Sequence, residues 1–303
     1  MTGVQTHVGI KLPTWGARVS PEAVGEVAEA ADAEGFGSVW VSDHTALPAA
    51  VEGDPTASGP PPFPPGTTFL DALTTLAFAA ARSSTVQLAT GILVAPLRDP
   101  VPLAAQVASL DVLSGGRAVL GVGAGWLQGE FALLGRPFTD RGAATDRLLG
   151  TLRACWGADP IALPAGPASV RPKPVGGRVP IVVGGHAAPA LRRAARHGDA
   201  WYASGPDPGE FATARARLRA LGGTGVATGA KAPATAPEDL PAAVASYTAA
   251  GADFVVVELP VDLTMPGAAG PAVRRAAAAL RLGADPPVPL APISAPTYPG
   301  GDP

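Results

Sequence analysis

Asp43 and His44 stand side by side directly after the apolar run Ser38–Ser42 (SVWVS). An imidazole gains or loses a proton near neutral pH, and an adjacent carboxylate can bond a ring edge or support the imidazole. The pair would serve equally as a solvent-facing strand cap that starts a turn, so both readings stay open. Glycine supplies the second signal: Gly91, Gly121–Gly125 (GVGAG) and Gly184-Gly185 each stand at the end of an apolar run. Backbone without Cβ lets a flat ring or a phosphate come close. Gly184-Gly185 also leads into a helix start, where free N–H groups attract anions. Any one cluster could be a tight strand-to-helix turn, but clusters after three different strands point to a shared ligand. Trp126 occupies the place of the third glycine in G-x-G-x-x-G and no helix opens straight afterward, so a Rossmann loop is not expected. An aromatic just past a strand end can instead wall a substrate pocket, whereas Trp15, Trp40 and Trp201 read as packing.

The remaining reactive side chains carry less. His186 sits in a turn before a helix, where a ligand contact and simple exposure are both open. His197 suits the dipole at a helix end, and His7 begins a strand with no partner in sequence. Cys155 is single, which rules out an internal disulfide and reads as a small buried hydrophobe. No His/Cys/Asp/Glu spacing suits a metal, and no G-x-S-x-G marks a serine hydrolase.

These residues need a frame, and strand and helix signals alternate along the chain. Strands are expected at His7–Leu12, Ser38–Ser42, Val86–Ala95, Ala118–Val122, Val179–Val183, Trp201–Ala203 and Asp253–Glu258, with Gly222–Ala230 too glycine-rich to be a good eighth. Helices are expected after Ser20-Pro21, at Phe69–Arg82, over Leu103–Leu113, and at Thr139–Trp156, Ala187–His197, Pro208–Leu221, Glu238–Ala250 and Ala272–Leu282. Eight βα units predict one (β/α)8 TIM barrel over residues 1–282; a doubly wound open sheet competes, and strand count favours the barrel. Ligands of such folds collect at the carboxyl ends of the strands. Ala46–Gly66 reads as a long loop or lid, Asp159–Arg178 as an insertion, and 283–303 as a disordered Pro-rich tail.

Composition narrows the partners. With 303 residues, 47% hydrophobic, and a formal net charge of −3, nothing suggests nucleic acid or a membrane surface. No apolar run approaches the roughly 18 residues of a membrane span, and no secretion signal is visible at the N-terminus. A cytoplasmic protein is expected.

Three blocks go further: GFGSVWVSDH (Gly35–His44), TGILVAPLRDPVPLAAQVASLDVLSGGRAVLGVGAGW (Thr90–Trp126) and PIVVGGHAAPALRRAARHGDAW (Pro180–Trp201). Together the chain resembles the luciferase-like superfamily from about His7 to Leu282, and most closely its coenzyme F420-dependent oxidoreductases. The resemblance implies a TIM barrel with an insertion near strand seven or its preceding loops, commonly a homodimer. It implies that Asp43 bonds the polar edge of the deazaflavin, with His44 beside the reactive ring as proton donor or acceptor. It places a non-prolyl cis peptide between Ile92 and Leu93, against one face of the ring. Ala95, Ala124, Gly125 and Gly129 fall where the family lines the cofactor's side chain, and Gly184, Gly185, Ala187 and Ala188 where it binds the phosphate. The sugar-phosphate branch carries a catalytic Glu just after the glycine loop, where this chain has Trp126, and no phosphate-gripping lysine cluster is evident. An apolar substrate wall including Trp126 follows from that departure. The expected activity is hydride transfer between F420 and a small organic substrate. The alternatives are an FMN-dependent monooxygenase fed by a separate flavin reductase, and a non-catalytic barrel that binds flavin or F420.

Overall fold

A computed structural model describes residues 6–16, 19–48, 63–64, 66–233, 236–259, 267–283 and 289–290. Its strands, in chain order, are β1 (His7–Lys11), β2 (Ser38–Val41), β3 (Gln87–Thr90), β4 (Leu93–Val94), β5 (Ala118–Gly123), β6 (Ile161–Leu163), β7 (Gly166–Ala168), β8 (Ile181–Gly184), β9 (Ala200–Ala203), β10 (Ala227–Ala232) and β11 (Phe254–Val257). Parallel pairing runs β1-β2-β3-β5-β8-β9-β10-β11, and β11 returns to β1 with His7 opposite Phe254. The ring is therefore closed, and the expected eight-stranded barrel is the observed one.

Helices α1 (Pro21–Ala33), α2 (Ala72–Ala81), α3 (Pro100–Leu113), α4 (Gln128–Leu133), α5 (Arg141–Gly157), α6 (Ala188–His197), α7 (Pro208–Ala220), α8 (Leu240–Ala249) and α9 (Ala269–Leu280) connect the strands. Their starts follow local chemistry. Ser20 accepts the Ala23 N–H at 3.1 Å, and Asp207 with Glu210 forms a reciprocal capping box at α7. Between strand ring and helices lies the main apolar core, to which Val24, Leu76, Leu103, Leu149, Leu191 and Phe211 contribute.

The barrel interior explains the weak eighth strand. Trp40, Tyr202 and Phe254 stack nearly parallel across it, with ring centroids 5.0 Å apart for Trp40–Tyr202 and 5.8 Å for Trp40–Phe254. Gly229 sits against the third ring: a Cβ there would lie 2.1 Å from Phe254 Cε2. The glycine that makes ATGAKA look like a poor strand is what lets β10 pass the aromatic stack.

Three expectations need correction. The Val86–Ala95 run is interrupted: β3 ends at Thr90, β4 is two residues long, and a 3-10 turn spans Ala95–Leu97. The non-prolyl cis bond joins Gly91 and Ile92, one peptide earlier than Ile92–Leu93. The insertion carrying the β6–β7 hairpin lies between the fourth and fifth barrel strands, not near the seventh. Of the expected tail beyond Gly283, only residues 289–290 are described. Leu290 is buried among Trp40, Ala89, Phe254 and their neighbours, and its N–H donates to Gln87 Oε1 at 2.7 Å. Gln87 opens β3, so Leu290 closes the amino-terminal end of the barrel. The rest of the expected lid, 49–62 and 65, and the tail beyond 290 lie outside the described residues.

Candidate functional site

At the opposite, carboxyl-terminal end, the strand ends enclose a cleft of about 740 Å3. Its wall includes Asp43 and His44 after β2, Gly91 and Ile92 after β3, Gly123–Trp126 after β5, Gly184–Ala187 after β8, and Tyr202 and Ser204 from β9 and just beyond it. Of the residues singled out by sequence, Asp43, His44, Ile92, Ala124, Gly125, Trp126, Gly184, Gly185 and Ala187 meet here. Leu93, Ala95, Gly129 and Ala188 do not line it. Leu93 and Ala95 are fully buried in the core behind the wall, and Gly129 packs under Pro48, where a Cβ would lie 2.6 Å from the ring.

The glycine clusters have a reason the sequence did not reveal. A Cβ on Gly123 would stand 2.2 Å from Ile92 Cδ1, and one on Gly184 would stand 2.4 Å from the same atom. The missing Cβ atoms thus make room first for Ile92, which projects from the break in the third strand across to β5 and β8. Gly125 and Gly185 are different, since both adopt positive φ (80° and 104°) and turn the chain.

His44 is held by a residue not foreseen. Its Nδ1 lies 2.8 Å from Glu130 Oε2, and Glu130 Oε1 accepts the N–H groups of Thr45 (2.6 Å) and Ala46 (3.2 Å). Glu130 is buried on α4, a helix that opens after residues 124–127, although none was expected so close to the glycine run. Burial alone would raise its carboxyl, but the bond and charge of His44 and the two backbone donors hold it below the usual range. An ionised carboxylate only accepts, so His44 Nδ1 carries the proton and Nε2 is left for the cleft. Phe63 and Phe69 pack edge-on against the imidazole at 5.1 and 5.0 Å, and Trp126 at 6.1 Å. These rings form an apolar wall around the imidazole.

Asp43, expected to support the imidazole or a ligand's edge, lines the cleft, but its two oxygens are bonded to the segment after the strand break rather than to the imidazole. Oδ1 accepts from Arg98 at 2.5 Å and Oδ2 from the Val94 N–H at 2.9 Å. Burial pushes its carboxyl up, with Arg98 and the Val94 N–H pulling against it. Its evident work is to fasten the segment after the strand break. Arg98 and Glu130 contact the motif across 55 and 86 positions, so no local pattern announced them.

The far end of the cleft is cationic. Arg193, on α6 and 7% exposed, pairs with Asp146 at 2.6 Å and donates to the Gly142 carbonyl at 2.8 Å. Arg141 donates to the Gly125 carbonyl at 3.3 Å and stacks over Phe138 at 3.9 Å. Both line the cleft beside the amino end of α6, whose N–H groups and dipole also favour an anion. His186 lines the same end. His7 bonds Ser38 Oγ at 2.8 Å inside the barrel and His197 lies beside Arg153, so neither belongs to the site. Among the described residues no cluster of metal ligands occurs, and no helix is long and apolar enough to cross a membrane.

Residues 4–255 match the model of the luciferase-like monooxygenases. The chain belongs to that family. Over 209 residues it is 32% identical to an uncharacterized protein of Mycobacterium tuberculosis (strain ATCC 25618 / H37Rv), covering 64% of this chain and 69% of that one. It is 34% identical over 143 residues to an F420-dependent glucose-6-phosphate dehydrogenase of Amycolatopsis mediterranei, covering 46% of this chain and 39% of that protein. Among solved structures, a monooxygenase from Streptomyces bottropensis shares the fold with a TM-score of 0.74 at 19% identity, over 90% of this chain and 98% of that one. Members of this family are oxidoreductases or monooxygenases that act on small-molecule substrates with a cofactor.

Proposed function

We propose that this luciferase-like protein is an F420-dependent oxidoreductase that exchanges hydride with a small organic substrate. One observation carries the reading: a single cleft has a carboxylate-held histidine in an aromatic wall at one end and two arginines with a helix amino terminus at the other. That polarity suits a ring-bearing cofactor with a phosphate. Arg193 is almost fully buried, lines the cleft and is held there by both carboxylate oxygens of the half-exposed Asp146. The F420-dependent relative from Amycolatopsis, matched over less than half its length, is in keeping with a deazaflavin. When bound, a deazaflavin supplies two-electron hydride chemistry.

The chain's own residues would do the rest. Arg141, Arg193 and the turn through Gly184, Gly185 and Ala187 would hold the phosphate. Ile92, Ala124 and Gly125 would shape the wall against which the cofactor lies, while Leu93, Ala95, Gly129 and Ala188 back that wall. Asp43 would keep the Ile92 ledge in place through Val94 and Arg98. Glu130 would fix the His44 tautomer, so that Nε2 accepts a proton from the substrate or, in the imidazolium, returns it. Phe63, Phe69 and Trp126 would exclude water from that exchange. We further propose a homodimer, which light scattering would test.

Titration of the purified protein with F420 and separately with FMN, followed by fluorescence quenching, tests the reading. Preferential F420 binding supports it and should be accompanied by anaerobic turnover of a substrate library. Preference for FMN with oxygen-dependent turnover would replace it by flavin monooxygenase chemistry, and binding of neither would overturn it.

A further inference from the structure

The chain contains three lysines, Lys11, Lys173 and Lys231. Lys173 is remote, donating to the Cys155 and Ala158 carbonyls. The other two converge at the carboxyl end of the barrel, although β1 and β10 are far apart in sequence. Lys231 Nζ pairs with Glu258 Oε2 at 3.0 Å, just past the end of β11. Lys11 Nζ donates to Ser42 Oγ at 2.7 Å and to the Gly91 carbonyl at 3.0 Å, both neutral acceptors. Among the described residues, no carboxylate lies within ion-pair distance of Lys11. The cluster thus holds two cations and one anion.

Three further facts turn this cluster toward a ligand. Ser42 and Gly91, the two partners of Lys11, both line the cleft, and so does Tyr202. An ammonium has three protons, and two are used, so one remains to be donated. The Tyr202 hydroxyl is buried and makes no well-formed hydrogen bond, a costly state unless a ligand oxygen completes it. Burial and then the negative charge of Glu258 push that phenol far above its ordinary value, with Ser204 opposing, so it stays a donor. Burial also lowers the Lys11 ammonium to about 8, with Glu258 raising it and Lys231 lowering it. Glu258 itself is drawn down against burial by Lys231 and Lys11, and Trp15 bonds it too. Trp15 stacks on Phe69 at 5.9 Å, and Phe69 touches His44. The apolar wall and the polar cluster are therefore continuous.

We propose that Lys11 and the Tyr202 hydroxyl form a substrate subsite on the inner wall of the cleft that receives a phenolic or enolic oxygen as its oxyanion. The substrate class follows: a flat, ring-bearing or conjugated molecule whose hydroxyl ionises readily, lying along Trp126 in the cleft. Lys231 and Glu258 act as positioning residues, neutralising each other and leaving Lys11 as the uncompensated charge. This inference borrows from the proposed function only that the cleft holds a substrate; it is indifferent to which cofactor binds.

The probe is 4-nitrophenol, whose phenolate absorbs visibly and whose phenol does not. It is titrated into the protein with and without the cofactor that binds, at a pH where the free probe is mostly protonated. The expected result is growth of the phenolate band on binding. Lys11→Met should abolish the band and weaken binding tenfold or more, Tyr202→Phe should weaken it severalfold, and Lys173→Met should change nothing. Lys11→Arg, which keeps a charge, should restore part of the band and guards against a folding defect in Lys11→Met. Binding as neutral phenol, an undiminished band in Lys11→Met, or loss of the band in Arg193→Met instead would overturn the subsite. Cofactor binding with no Lys11-dependent band refutes this inference alone, and the band without cofactor binding refutes the proposed function alone.

Discussion

Replacing Glu130 tests whether the carboxylate or merely its bulk organises His44. In Glu130→Ala the imidazole loses its partner and the Thr45 and Ala46 N–H groups lose their acceptor. Breaking a buried ion-assisted pair by removing one member costs about 3–5 kcal/mol. At roughly 2–4 °C per kcal/mol for a chain of this size, the melting temperature should fall by about 6–20 °C. Glu130→Gln is the sharper experiment. Its amide oxygen can still accept the two backbone N–H groups, so stability should fall by only about 1–2 kcal/mol, the net worth of a typical to charge-assisted bond. The amide nitrogen then faces His44 Nδ1 and donates to it, which drives the ring proton to Nε2. Long-range proton–nitrogen NMR spectra of the histidine rings read the tautomer directly. The wild type should show Nδ1–H at His44 and the Gln variant Nε2–H, with turnover reduced a hundredfold or more while cofactor affinity holds. An unchanged tautomer with unchanged turnover would refute the reasoning, since the carboxylate would then be a structural prop for residues 45–46 alone.

Four other outcomes are expected. Arg193→Met should weaken a phosphate-bearing cofactor about tenfold or more, some 1.4 kcal/mol, and an equally tight complex by titration would remove Arg193 from the phosphate end. Gly184→Ala drives a Cβ into Ile92 and should impair cofactor binding, while Ile92→Ala in the same chain should restore part of it; strictly additive losses in the double-mutant cycle would show that the two do not compete for space. Leu290→Ala should lower stability by about 2–3 kcal/mol in a denaturant melt without changing cofactor affinity, because it opens the end of the barrel remote from the cleft. Asp32 accepts five hydrogen bonds from Ser84, Thr85 and Val86, which overcome burial and hold its carboxyl well below the usual range. Its folded pKa is depressed, so its contribution is present above the unfolded value near 4 and is lost as pH falls below it. Melting temperature against pH should therefore drop less steeply on the acid side in Asp32→Ala, and parallel curves would contradict this.

The sequence by itself determined the frame and the location of the cleft. Runs such as SVWVS, AVLGVG and FVVV are largely apolar because a parallel barrel strand is buried on both faces, and Ser20 marked its helix start through a bond spanning three residues. Asp43, His44 and the glycine runs were legible because they sit at strand ends, and strand ends share one rim in this fold. What occupies the space around them was decided only by closing the ring. The glycines of β5 and β8 were visible, but that they yield to Ile92 depends on three strands becoming neighbours. The partner of His44 was not an adjacent acid but Glu130, and Asp43 turned to Arg98 instead. Lys11 and Lys231 came together at one end of the barrel although they stand in β1 and β10. Hydrophobic period and capping act over a few residues and can be read in order along the chain. Charge pairing, steric exclusion and a buried donor's need for a partner act through space, and those contacts exist only once β1 and β11 have met.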